Sequence, residues 1–182
     1  MTPTESITTS FPPLNLPMSQ LRIRWPQHPN AADPFAPSGA QNGTQSERPE
    51  VLCQCRKRYV ALTPEEWVRQ HFIAFMISHL GFPQPLIGAE VQLLVGANLR
   101  QRADIVVFSR QMKPLIIVEC KAPCVPISQK TLNQACRYLS SLAARCVVLT
   151  NGLEHFCIAL DAKGNPMFRK SLPTWGEVLE WE

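Results

Sequence analysis

The 182-residue chain is 45% hydrophobic, enough apolar material for one folded domain with a core, and its net charge of +4 is too modest to mark a polyanion binder by charge alone. No apolar run reaches the roughly 18 to 20 residues of a membrane span, and no basic region precedes a hydrophobic N-terminal segment, so a soluble, cytoplasmic protein is expected. Seven cysteines, an odd number without a Cys-x-x-Cys pair, argue against a disulfide framework and against zinc. Free thiols are expected, with Cys120, Cys136, Cys146 and Cys157 acting as small hydrophobes within apolar segments.

Residues 1–49 hold nine of the 17 prolines with many Ser, Thr, Asn and Gln, and are expected to be mostly flexible. Within them, 14–25 carries Leu14, Leu16, Leu21, Ile23 and Trp25 and reads as a short docking strand; 26–49 reads as a loop or insertion. The folded domain is placed at 50–182. From Val51 to Leu62 the chain turns apolar and basic, and Arg56, Lys57 and Arg58 are candidate phosphate contacts.

Thr63 as N-cap, Pro64 at the first helical position and Glu66 as the third member of a capping box open a helix that Gly81 ends. Its apolar face is Trp67, Val68, Phe72, Phe75, Met76 and Leu80; Glu65, Arg69, Gln70 and His71 fall mostly outside it, and His71 and His79 are read as surface residues. Leu86 to Val95 alternates as a strand carrying Glu90, Gly96 to Asn98 is a turn, and Arg100 and Arg102 precede a strand from Ala103 to Phe108. After the Leu115–Val118 strand, Ser128 caps a helix to about Arg145 with Gln134 and Tyr138 adjacent on its flank. Strands at 146–150, 154–160 and 167–172 and a short helix after Thr174 complete an α/β (α+β) domain, a mixed sheet flanked by helices in the order αβββαβ with extra strands.

The chemistry centres on the stretch from Pro114 to Pro123. An apolar β-branched run ends there in Glu119 and Lys121, which strand geometry sends to one face. In the simplest hairpin register Phe108 faces Leu115, which sets Asp104 opposite Glu119 with Cβ atoms about 4.5 to 5.5 Å apart. Facing carboxylates repel unless a cation lies between them. Mg²⁺, with Mn²⁺ as a substitute, suits a partial shell of Asp104, Glu119 and the Cys120 backbone carbonyl, with Glu90 completing the shell or acting through a water.

Asp104, then Glu119-x-Lys121 after a hairpin, then Gln134-x-x-x-Tyr138 on the next helix resemble the PD-(D/E)xK nuclease core. More narrowly, the chain resembles the N-terminal nuclease domain of the type I restriction enzyme R subunit in a short stand-alone form. The similarity runs through Leu14-Asn-Leu-Pro17, Arg56-Lys-Arg-Tyr-Val-Ala-Leu-Thr-Pro-Glu-Glu-Trp-Val-Arg-Gln70 and Thr150-Asn-Gly152, and covers nearly all of residues 50 to 172. The resemblance implies a restriction-endonuclease-like core and an Mg²⁺-dependent endodeoxyribonuclease. It places Asp104, Glu119 and Lys121 at the catalytic positions, Glu90 at the upstream acidic position, and Gln134 and Tyr138 at the accessory motif. DNA is the implied partner; Arg56, Lys57, Arg58, Arg100 and Arg102 are the candidate phosphate contacts, the alternative for 56–58 being a solvated strand end or turn. A homodimer for double-strand cleavage or a separate motor protein would accompany it. Ala103 stands where the superfamily name places proline, and no Gly-x-x-x-x-Gly-Lys-Ser/Thr loop occurs, so no ATP site is expected. The alternatives are a catalytically silent DNA- or partner-binding module that keeps the fold, and a simple Glu119–Lys121 salt bridge, which leaves Asp104 unexplained.

Overall fold

The stretch opened by Thr63-Pro64 forms helix α1 (Pro64–Ser78), in which the Thr63 hydroxyl accepts from the Glu66 N–H at 3.0 Å. The expected capping box is only half formed: the Glu66 carboxylate turns away from the cap to Arg56, Arg69 and Gln70. Gly81 ends the helix with φ +75°, a conformation that costs a β-carbon about 1 to 2 kcal/mol. The computed structural model describes residues 11–25, 48–95, 99–142, 144–161 and 163–181. Residues 1–10, most of the expected loop (26–47) and the turn at 96–98 therefore lie outside the described residues.

The described strands are β1 (Ile23–Arg24), β2 (Glu50–Cys53), β3 (Arg58–Ala61), β4 (Ile87–Val95), β5 (Leu99–Phe108), β6 (Pro114–Cys120), β7 (Cys146–Thr150), β8 (His155–Leu160) and β9 (Pro166–Arg169). Helix α2 (Gln129–Leu142) joins β6 to β7, and α3 (Trp175–Leu179) follows β9 with a complete Thr174/Glu177 capping box. β1 to β3 form a small antiparallel sheet. β4 to β9 form the main sheet in chain order, antiparallel except for the parallel β6–β7 pair that α2 bridges. The order α1-β4-β5-β6-α2-β7 is the expected αβββαβ, a mixed sheet with helices on both faces.

Alternation along the strands supplies both layers of the core. Trp67, Val68, Phe72, Ile73 and Met76 of α1 pack on Ile105, Val107, Ile116, Val118 and Val148, whereas Leu139 of α2 packs on Val106, Ile117, Val147, Leu149 and Ile158. Each fully buried Phe or Ile contributes about 2 to 3 kcal/mol. Among the described residues no helix is long and apolar enough to cross a membrane.

Three expectations are corrected. Arg69, Gln70 and His71 are buried, as is Glu66. Segment 11–25 covers α1 on a second side, stacking Phe11 on Trp67 at 5.1 Å and presenting the Ser19 N–H to His71 Nδ1 at 3.4 Å. Lying outside the apolar stripe does not here mean lying in water. The hairpin register Ile105↔Val118 to Val107↔Ile116 is the expected one, but a bulge sets Phe108 opposite Pro114 instead of Leu115. Finally, β5 begins at Leu99, so Arg100 and Arg102 lie within the strand and not ahead of it.

Candidate active site

Glu90 and Asp104 occupy the level at which the β4–β5 ladder is interrupted. Ala89 pairs with Ile105 and Val91 with Ala103, and between them Glu90 takes φ +54°. At this level the ribbon rolls over. Ile87, Ala89, Ile105 and Val107 belong to the core under α1, whereas Val91, Leu93 and Ala103 belong to the core under α2. The roll frees the Asp104 side chain from a regular sheet face and turns it toward α1. Left-handed backbone at a glutamate costs about 1 to 2 kcal/mol, and it persists because the enclosed Arg56 Nη1 anchors the Glu90 carboxylate, with the exposed Arg102 Nη1 a looser contact at 3.5 Å.

Asp104 is nearly buried, and each of its oxygens has a donor. Arg69 Nη2 reaches Oδ1 at 2.7 Å, and the Cys120 backbone N–H reaches Oδ2 at 2.7 Å. The β5–β6 pairs end at Ile105↔Val118, so Glu119 follows on β6 where Asp104 precedes on β5. Lys121 Nζ donates to Glu119 Oε1 at 2.9 Å, while Glu119 Oε2 is buried with no hydrogen-bond partner. Burial first, then the Asp104 charge, push Glu119 above the usual carboxylate range against the pull of Lys121. Burial opposes the Lys121 charge, yet its hydrogen bond to Glu119 and the carboxylate charge prevail and raise its pKa.

An orphaned buried carboxylate oxygen beside a second carboxylate is a donor set that a hard divalent cation fits. Among the described residues no three His, Cys, Asp or Glu side chains form a ready cage.

The buried ion-pair network behind these groups was not foreseen. Arg69 Nη1 pairs with Glu66, Arg69 Nη2 with Glu65 at 2.9 Å, and Arg56 Nη2 with Glu66 at 2.5 Å. Gln70 Nε2 donates to Glu66 Oε1 at 2.7 Å. The signal was present as Glu66, Arg69 and Gln70 at positions i, i+3 and i+4, which share one helix face. Burial disfavours the Arg69 charge, but Asp104 and Glu66 hold it firmly protonated.

Of the basic residues, Arg56 is enclosed in this network, whereas Lys57, Arg58, Arg100 and Arg102 are exposed. Gln134 and Tyr138 fall on α2, and their side chains lie outside the described residues.

The model of a family described as type I restriction enzyme R protein N terminus matches residues 64–173, more than half of the chain. Among solved structures, a fragment assigned as an HsdR subunit of a type I restriction enzyme from Vibrio vulnificus YJ016 is 21% identical with a TM-score of 0.47. The match covers 66% of this chain and 25% of that one, so the chain spans about a quarter of that relative's length. No curated protein matches. With α1, the three-stranded meander, α2 and β7 all inside the matched region, the chain belongs to the type I restriction enzyme R protein N-terminal family.

Proposed function

We propose that this domain is a metal-dependent nuclease that hydrolyses DNA phosphodiesters. The observation that carries the reading is Glu119 Oε2, a buried anionic oxygen with no partner, set beside Asp104. A carboxylate left this way costs stability unless a cation completes it. A module kept for binding alone leaves that oxygen unexplained.

Asp104, Glu119 and the Cys120 carbonyl would hold Mg²⁺ or Mn²⁺, which when bound neutralises the scissile phosphate and activates water. Lys121, fixed by Glu119, presents an ammonium that orients the attacking water or offsets charge developing on the phosphoryl oxygens. Glu90 already faces arginines on both oxygens and acts through a water. Gln134 and Tyr138 are assigned to positioning DNA or Lys121.

Binding falls to a basic rim. Residues 99–103 of β5 pair with β4, outside the described β5–β6 ladder, and make a two-stranded ribbon. Its outer face carries Gln92, Leu94, Arg100 and Arg102, all exposed. This face runs into the Glu90–Asp104 level, so phosphates held by the ribbon, Lys57 and Arg58 lead to the carboxylates. A second copy for double-strand cleavage, or a motor carried by another protein, belongs to the same proposal.

The test is incubation of the purified chain with supercoiled plasmid in Mg²⁺ or Mn²⁺, against EDTA and against Asp104→Ala. Metal-dependent nicking lost in the variant is expected. DNA binding without cutting of any duplex, single-stranded or modified substrate would assign the chain to the silent module.

A further inference from the structure

Interruption of the ladder at Asp104 means that regular pairing does not set the direction of its side chain. Two donors set it instead, one on each oxygen: the Cys120 N–H, which belongs to the backbone of β6, and the guanidinium of Arg69 on α1. The two bonds fix the plane of the carboxylate and leave the remaining lone pairs of both oxygens for another ligand. Arg69 is itself held. Its side chain is 4% exposed, its other contacts are Glu66, Glu65 and, more distantly at 3.9 Å, Glu90, and Glu66 is held in turn by Arg56 and Gln70.

We propose that Arg69 is the positioning residue for Asp104, holding its carboxylate in the orientation in which it joins Glu119 at the metal. The consequence for metal rests on the reading above; the contact itself does not. A planar fork suits this work. Lysine, a point charge on a flexible stem, retains the charge and loses the in-plane direction. A bystander arginine and a positioning arginine predict opposite signs for metal binding. If Arg69 merely sits nearby, removing its positive charge relieves repulsion and tightens the cation; if it aims Asp104, removing it weakens the cation.

The experiment uses the full chain as wild type, Arg69→Lys and Arg69→Gln, with Asp104→Asn as the reference for a lost ligand. Mn²⁺ titration by calorimetry should show binding about tenfold or more weaker in both Arg69 variants. Without metal, the Cys120 amide should exchange about tenfold faster in Arg69→Lys, while the Ile117 amide in the same strand keeps its protection and the melting temperature changes little. Tighter Mn²⁺ binding by Arg69→Gln, or wild-type Cys120 protection in Arg69→Lys, overturns the assignment. If Arg69→Gln does not fold, Arg69→Lys decides alone. If wild type binds no Mn²⁺, the metal reading falls, and the amide measurement still decides whether Arg69 holds Asp104.

Discussion

Two buried or half-buried bases, Lys121 and His71, show how the partner that burial finds decides whether a charge is kept. Lys121 keeps its charge because Glu119 lies 2.9 Å away, whereas His71 loses its charge because burial finds no compensating anion. Lys121 is asked to act in the transition state, so Lys121→Ala should abolish cleavage and leave DNA affinity within about threefold, one charge being a fraction of the counterion-release term. A parallel fall in affinity and rate would make it a binding residue. His71 is held down to about 4, its Nε2 has no hydrogen-bond partner, and its ring meets Trp67 edge-on at 4.2 Å. Because the folded value lies below the unfolded value of about 6.5, the unfolded chain binds the proton first. His71 therefore contributes stability that is complete above about pH 6.5 and is lost as pH falls toward 4. The loss is at most about 3 kcal/mol. Denaturant midpoints at pH 7 and pH 4.5 should differ more in wild type than in His71→Phe; equal differences would place the acid sensitivity elsewhere.

At the scale of elements, what the sequence makes legible is what local chemistry decides. Thr63-Pro64 and Gly81 bound α1 because a cap hydroxyl, a fixed φ and a positive φ are local requirements. Asp104 and Glu119 come together because the hairpin connecting β5 to β6 sets the register over three pairs. The bulge at Val107/Phe108, the left-handed Glu90 and the Arg69–Asp104 contact are set by partners far along the chain; the i, i+3 and i+4 spacing of Glu66, Arg69 and Gln70 announces their pairing but not their burial. The Asn151-Gly152 turn is both kinds at once. Asn151 Oδ1 accepts from the N–H groups of Leu153 and Glu154, a local Asx arrangement, while Gly152 is pressed by Leu14 from the N-terminal segment and accepts from Asn15 N–H at 2.7 Å. A Cβ on Gly152 would lie 2.6 Å from Leu14 Cδ2 at φ +84°. Gly152→Ala should thus cost about 2 kcal/mol or more, combining strained backbone with overpacking. Urea midpoints measure it, and an unchanged midpoint would mean that segment 11–25 yields without cost.

Over the whole molecule, the charges divide into a buried set that shapes the site and an exposed set that meets the substrate. Arg56 and Arg69 are committed to Glu66, Glu90 and Asp104, and removing either takes a cation out of a buried network and leaves its carboxylates under-compensated. Arg100 and Arg102 face solvent on the ribbon, and Arg102 meets Glu90 only at 3.5 Å with 64% of its side chain exposed, a contact that water screens strongly. The two sets should therefore fail differently. Replacing Arg100 and Arg102 together by alanine removes two phosphate neighbours and no buried partner. Each phosphate contact contributes about 0.9 to the slope of log affinity against log salt on duplex DNA, so the slope should flatten by about 2. The melting temperature should stay within the small change of surface substitutions. Cleavage at saturating DNA should survive, since Asp104, Glu119 and Lys121 are untouched. An unchanged salt slope would move the DNA path off the ribbon, and loss of cleavage at saturation with normal affinity would make the two arginines part of the chemistry.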